Sequence, residues 1–170
     1  MRVLGIDPGL RVTGYGCVDG EVGRPELVEA GVVRLVRGET PPVADRLLEL
    51  ERDLCELLDR VKPAAVVVEA VFSHARFPGS ALTMAHARGV VLLCARRAGM
   101  ELVEIPPASV KRALTGSGRA SKQQMQAAIQ GVFGLPEPPS PADVADALAT
   151  ALAGSVRLTG PGASDTLGHD

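Results

Sequence analysis

Four acidic side chains interrupt apolar segments of this sequence, where an unpaired carboxylate is costly. Asp7 and Glu69 each end an apolar run, and Asp143 and Asp146 lie three residues apart within a segment rich in Ala, Leu and Val. A buried carboxylate needs a partner, and two acids at this spacing share one helix face and repel each other. The sequence therefore predicts that a positive group lies among these four side chains.

The chemistry that suits four such acids is metal-dependent hydrolysis. Hard oxygen donors without a neighbouring His or Cys favour Mg²⁺ or Mn²⁺ over zinc. Four carboxylates can hold two such ions about 4 Å apart, which suits in-line attack of water on a phosphodiester. Structural interpretations stand beside this one: Asp7 before Pro8-Gly9 can start a turn, and Asp143 can be favoured by the dipole of its helix.

The hydrophobic pattern around these acids predicts one α/β domain. A three-strand antiparallel meander precedes parallel strands flanked by helices, giving a mixed five-stranded sheet. If the strands that end at Asp7 and Glu69 are parallel neighbours, both acids lie at the same edge of the sheet, and the last helix could bring Asp143 and Asp146 there. The strands are predicted over residues 2–7, 13–18, 27–35, 64–68 and 102–105, and the helices over 43–61, 80–98, 109–114, from 121 onward and over 142–153.

Length and composition limit the classes of protein to which the chain can belong. Its 170 residues predict a single domain over residues 1–154, followed by a Gly-rich, disordered tail over 155–170. The longest charge-free stretch, residues 123–136, is too short and too polar to span a bilayer. Three scattered cysteines predict buried thiols rather than disulfides or a zinc site. Together these features predict a cytoplasmic protein with no membrane segment.

The distribution of charge favours a nucleic-acid partner, although the formal net charge is only −2. Residues 72–122 contain eight basic and two acidic residues, whereas the segments on either side are net acidic. Such segregation predicts one basic face that could contact phosphates, with solvated helix faces as the alternative. Phe72 beside basic residues could stack on a base, or could pack as part of a lid. The candidate DNA contacts are Phe72, Arg76, Lys111, Arg119 and Lys122.

Linked motifs resemble the RuvC family of crossover junction endodeoxyribonucleases. Their order and spacing match over nearly the whole chain except the tail, which makes the set far more specific than any one motif. The motifs are Gly5-Ile-Asp7-Pro-Gly9 with Arg11-Val-Thr-Gly-Tyr-Gly16, then Glu69-Ala-Val-Phe72, Ala85-His-Ala-Arg-Gly89 and Ala142-Asp143-Val-Ala-Asp146.

The resemblance implies a ribonuclease H-like fold and a homodimer that nicks two opposed strands of a four-way (Holliday) DNA junction during recombination and repair. It makes Asp7, Glu69, Asp143 and Asp146 the catalytic metal ligands, for two Mg²⁺ per site with Mn²⁺ as a substitute. It also implies that Phe72 stacks on an unpaired base, that Lys111 and Lys122 lie near the scissile phosphate, and that a branch-migration complex of RuvA and RuvB is a partner.

Two other functions remain open on the sequence. The Asp-Pro-Gly start also resembles the phosphate loop of actin-like ATPases and sugar kinases, which ATP-dependent thermal stabilisation would reveal. The second alternative is a junction-binding module without catalytic activity. In such a protein, four acids near the DNA phosphates would not favour binding.

One predicted helix carries a stripe of small residues at Ala81, Ala85 and Gly89. Small side chains allow another element to approach closely. The stripe therefore predicts either a dimer surface or a contact with the sheet.

Overall fold

The first strand ends at Asp7, as predicted. The computed structural model describes residues 1–21, 23–70 and 78–159. The strands in that part of the chain are β1 (Val3–Asp7), β2 (Val12–Glu21), β3 (Arg24–Arg34), β4 (Ala65–Glu69) and β5 (Glu101–Ile105). The helices are α1 (Val43–Val61), α2 (Pro78–Arg97), α3 (Pro107–Thr115), α4 (Lys122–Phe133) and α5 (Ala142–Thr159).

The five strands form one mixed sheet in the order β3-β2-β1-β4-β5. β1 pairs antiparallel with β2 and parallel with β4, and β4 pairs parallel with β5. The continuous apolar run of β4 is fully buried from Ala65 to Val68, because helices cover both faces of the sheet there. This topology confirms the predicted α/β class, with an antiparallel meander followed by parallel strands.

Each face of the sheet is covered by a different group of helices. One core cluster joins the sheet to α1 and α2, and the other joins it to α3, α4 and α5. The Ala-rich α5 lies across β1 and β2, which leaves its N-terminal end beside the strand ends. Within the described residues, no helix has both the length and the apolar character needed to cross a membrane.

Three expectations need correction. The last helix does not end at residue 153 but continues to Thr159, because Leu158 still packs against the core, so residues 155–159 of the predicted tail are helical. β2 and β3 are longer than predicted, since their pairing continues as far as Glu21 and Arg24. Cys55 is exposed, whereas Cys17 and Cys94 are buried as expected. Residues 160–170 lie outside the described part of the chain.

Candidate active site

Parallel pairing of β1 with β4 brings Asp7 and Glu69 to the same edge of the sheet. The turn that follows Asp7 is fixed by Thr13, whose hydroxyl accepts from the Gly9 amide at 3.2 Å and donates to the Gly9 carbonyl at 2.8 Å. The buried Arg46 of α1 donates to the carbonyl of Leu10 at 2.8 Å. The side chains of Thr13 and Arg46 therefore hold the backbone that follows Asp7.

Glycines in the meander let α5 approach the sheet closely. A Cβ placed on Gly14 would lie only 2.2 Å from the backbone oxygen of Asp143, and one on Gly5 would lie 2.2 Å from the backbone oxygen of Ala147. Gly14 is also the residue that pairs with Asp7 in the β1–β2 register. The first turn of α5 therefore lies beside Asp7, and this packing also places Asp143 and Asp146 near Asp7.

A cavity of about 290 Å³ gathers most of the predicted site residues. Glu69, Asp7 and Asp146 line it from three different elements, together with Lys111 of α3 and Lys122 of α4. Thr150, one turn after Asp146, also lines the cavity and donates to the Asp146 carbonyl at 2.9 Å. Asp143 does not line this cavity, although its charge acts on Asp7.

Burial and mutual repulsion perturb the two strand-end acids. Burial, followed by the charges of Asp146, Asp143 and Glu69, raises the pKa of Asp7 to about 7. Burial and then the charge of Asp146 raise the pKa of Glu69 above its ordinary value, while Lys111 opposes the rise. Carboxylates that disfavour one another's charge in this way need a cation among them.

The lysines supply part of that positive charge. Ser121 and Gln124 form the predicted capping box at the start of α4, which makes Lys122 the first residue of the helix. Its ammonium group lies 3.2 Å from a carboxylate oxygen of Asp146, and this hydrogen-bonded pair raises the pKa of Lys122. Lys111 reaches the same cavity from α3, so both predicted lysines are placed at the acids.

The donor set fits a hard divalent cation in its chemistry. Oxygen ligands from carboxylates, with no His or Cys beside them, suit Mg²⁺ or Mn²⁺. Burial and then repulsion raise the pKa of Asp7, and such an ion would relieve the repulsion. Among the described residues, however, no three His, Cys, Asp or Glu side chains already stand close enough to form a finished metal cluster.

Other predicted contacts have different outcomes. Arg119 is exposed in the loop between α3 and α4 and does not line the cavity. Phe72 and Arg76 lie outside the described residues. On α2, Ala85 and Gly89 are exposed, so the small-residue stripe does not pack on the sheet as one alternative proposed. The sequence interpretation gave no role to Thr13, although its place directly before Gly14 in the first motif was a usable signal.

Comparison with family models and curated proteins identifies one family. The family model described as crossover junction endodeoxyribonuclease RuvC matches residues 3–154. A protein of that name from Parafrankia sp. is 48% identical over 153 residues, which cover 89% of this chain and 84% of the relative. Another from Pelotomaculum thermopropionicum is 42% identical over 152 residues, covering 89% and 91%.

Solved structures are similar over the same span. Thermus thermophilus RuvC in complex with a Holliday junction substrate superposes with a TM-score of 0.81 at 33% identity, covering 92% of this chain and 94% of that one. The yeast mitochondrial Holliday junction resolvase Ydc2 superposes with a TM-score of 0.65 at 18% identity, covering 89% and 76%. At that identity the likeness to Ydc2 concerns the fold alone.

Proposed function

The chain belongs to the RuvC family of crossover junction endodeoxyribonucleases, and on that premise we propose that it resolves four-way DNA junctions by paired, metal-dependent nicks. The observation that carries the proposal is the convergence of Asp7, Glu69 and Asp146 with both lysines on one cavity. This grouping favours catalysis over the non-catalytic binding module, and the family match over residues 3–154 favours a nuclease over an ATP-binding fragment.

We assign the four acids as ligands for two Mg²⁺ ions, with Mn²⁺ as a substitute. Bound at this site, the ions would activate the attacking water and stabilise the leaving 3′-oxygen. Asp7 and Glu69 would hold them from the strand ends, and Asp143 and Asp146 from the first turns of α5. Because α5 is packed tightly on Gly5 and Gly14, the two pairs of acids have fixed backbone positions and only their side chains need to converge.

In this proposal the two lysines contact the scissile phosphate of the DNA. Lys122 is paired with Asp146, and an ion bound at Asp146 would free its ammonium group to contact a scissile phosphate. Lys111 lies on the same cavity, close enough for its charge to act on Glu69. Phe72 as a base-stacking residue, with Arg76 and Arg119 as further DNA contacts, remain predictions.

A homodimer is the assembly that paired nicks require, since one active site cuts one strand. The outer face of α2 supports this part of the proposal: Leu82 and Leu93 are 59% and 48% exposed and flank the exposed Ala85 and Gly89. Apolar groups left on a surface at helical spacing favour a partner helix. We further propose junction DNA and the RuvA and RuvB branch-migration proteins as partners, in the cytoplasm.

The direct test compares a synthetic four-way junction with a linear duplex of the same sequence. With Mg²⁺ or Mn²⁺, we expect symmetric nicks in two opposed strands of the junction, 5′-phosphate ends, and no cutting of the duplex. Chelation of the metal should stop the reaction. Equal cutting of both substrates would contradict junction selectivity, and no cutting with either metal would contradict the nuclease itself.

Lys122→Ala should lower the rate of junction cleavage about 100-fold, because a charge placed at the transition-state phosphate is lost. Lys111→Ala should act in the same direction. Each variant should also reduce the slope of log affinity against log salt by about 1, since one phosphate contact disappears.

The matched control for the lysine variants is Arg52→Ala, which removes an exposed positive charge from α1 on the opposite face of the sheet. Single-turnover cleavage and binding at several salt concentrations measure the two effects. The role of the lysines would be wrong if Arg52→Ala changed the rate and the salt slope as much as they do.

A further inference from the structure

One motif that the active site does not use contains a buried positive charge. Arg88, in the segment Ala85–Gly89 of α2, is only 9% exposed, and its neighbours Ala87 and Val91 belong to the core. A guanidinium in such a place is unfavourable unless its donors are paired. Its partners therefore indicate what the residue does.

The Arg88 guanidinium spans the ends of two neighbouring strands. Its Nη1 donates to the backbone carbonyl of Glu69 at 2.9 Å, and its Nη2 pairs with the carboxylate of Glu104 on β5. Glu104 lies opposite Val68 in the β4–β5 register. One side chain of α2 thus holds the last residue of β4 and the adjacent strand together.

The peptide that follows Glu69 is held at both of its polar groups. Its carbonyl accepts from Arg88, and its N–H, that of Ala70, donates to the carbonyl of Ile105 at 2.8 Å. This peptide joins the last residue of β4 to Ala70. Its orientation sets where the Glu69 side chain enters the cavity that it shares with Asp7 and Asp146.

We infer that Arg88 is a positioning residue: by holding the backbone of Glu69, it acts indirectly on the metal ion that the Glu69 side chain would bind. The inference rests on the proposed function, since it assigns Glu69 to a bound ion. Partners that orient a metal ligand typically affect metal affinity or activity by about 10–100-fold. A lysine cannot replace Arg88, because one ammonium group lacks the planar fork that reaches Glu69 and Glu104 together.

The test compares Arg88→Lys and Arg88→Ala with Arg97→Ala. Arg97 is a matched control on the same helix, because it also forms an ion pair between elements, with Glu51 of α1 at 2.7 Å, but away from the site. Calorimetric titration with Mn²⁺ measures metal affinity without catalysis. Single-turnover cleavage against Mg²⁺ concentration, and junction binding in EDTA, complete the set.

We expect both Arg88 variants to bind Mn²⁺ about 10–100-fold more weakly and to need correspondingly more Mg²⁺ for cleavage, with junction affinity in EDTA within about twofold of wild type. Arg97→Ala should match wild type in all three measurements. Glu104→Ala, at a half-exposed position, frees one arm of the fork and should shift Mn²⁺ affinity in the same direction by a smaller factor. It keeps the inference testable if Arg88→Ala fails to fold.

Distinct outcomes separate the inference from the proposed function. Wild-type Mn²⁺ affinity and Mg²⁺ dependence in Arg88→Lys, in a protein that cuts junctions, would overturn the positioning role alone. Equal losses in Arg88→Ala and Arg97→Ala would also overturn it, because the effect would then be general. A wild-type protein that binds Mn²⁺ but cuts no junction would overturn the function, and weaker Mn²⁺ binding by Arg88→Lys would still support the positioning role.

Discussion

Replacing Asp7 with Asn is expected to stop junction cleavage while making the metal-free protein more stable. Asp7 is largely buried among three other acids, and this environment raises its pKa to about 7. Ionising the side chain therefore opposes folding, and a neutral residue of the same shape removes that opposition. A rise of the pKa from 3.8 to about 7 corresponds to about 4 kcal/mol for a fully buried group. Solvent screening at the partly exposed Asp7 reduces this figure, so we expect a gain on the order of 2 kcal/mol at pH 8 in EDTA.

The pH dependence of this gain has a definite sign. Folding raises the Asp7 pKa from its ordinary value of 3.8 to about 7, so its contribution to stability is fully present below the lower value and is lost as the pH rises through the higher one. In EDTA, Asp7→Asn should match wild type near pH 3.5 and exceed it increasingly up to about pH 8. Urea unfolding at several pH values measures the difference.

Magnesium should reverse the order of stability. Wild type should gain about 2.7 kcal/mol at a Mg²⁺ concentration one hundred times the dissociation constant, whereas Asp7→Asn, with one ligand removed, should gain much less and cut no junction. Asp59→Asn is the control, because Asp59 is an exposed acid of α1 remote from the cavity. Cleavage by Asp7→Asn at the wild-type rate would contradict the metal assignment. So would a loss of stability in EDTA that Asp7→Asn shows and Asp59→Asn does not.

Much of this fold could be predicted from short sequence patterns, because apolar spacing and helix caps stabilise helices and strands through contacts between nearby residues. The apolar spacing of α1 gave both of its ends, and the pair of Ser121 and Gln124 gave the start of α4. Asp7 and Glu69 could be placed at one sheet edge because each ends an apolar strand, and only the parallel pairing of those strands remained to be established. Acids in apolar surroundings are costly, so they stand out in a sequence.

Residues that act through another element were not predictable in this way. Arg88 appears in the sequence as one more helical arginine, and only the packing of α2 against β4 and β5 brings it to the Glu69 carbonyl. Thr13 acquires its role when the chain turns back after Asp7. The end of α5 was misjudged for the same reason: a Gly and polar composition suggested a tail, but Leu158 is held in the helix by contacts with the core.

Replacing Gly5 with Ala is expected to reduce both stability and activity, although Gly5 contacts no substrate in the proposed mechanism. The added Cβ would lie 2.2 Å from the backbone oxygen of Ala147 and 2.4 Å from the backbone nitrogen of Ala151. These atoms belong to the α5 backbone and cannot rotate away. Overpacking of this kind costs about 3 kcal/mol, so the melting temperature should fall by about 6–12 °C.

Activity should fall further than the loss of folded protein explains, because the helix that must move carries Asp143 and Asp146. To accept the Cβ, α5 has to shift by about 1 Å, and a displacement of that size in a catalytic group costs about 100-fold in rate. Single-turnover cleavage well below the melting temperature measures this loss. Gly131→Ala in α4 is the control: apart from its chain neighbours and its own helix backbone, no atom lies within 4 Å of its Cβ position, so the variant should be slightly more stable and fully active. A Gly5→Ala protein that melts lower but cuts at the wild-type rate would show that α5 can shift without moving its acids, and would contradict the close seating of the helix as the device that assembles the site.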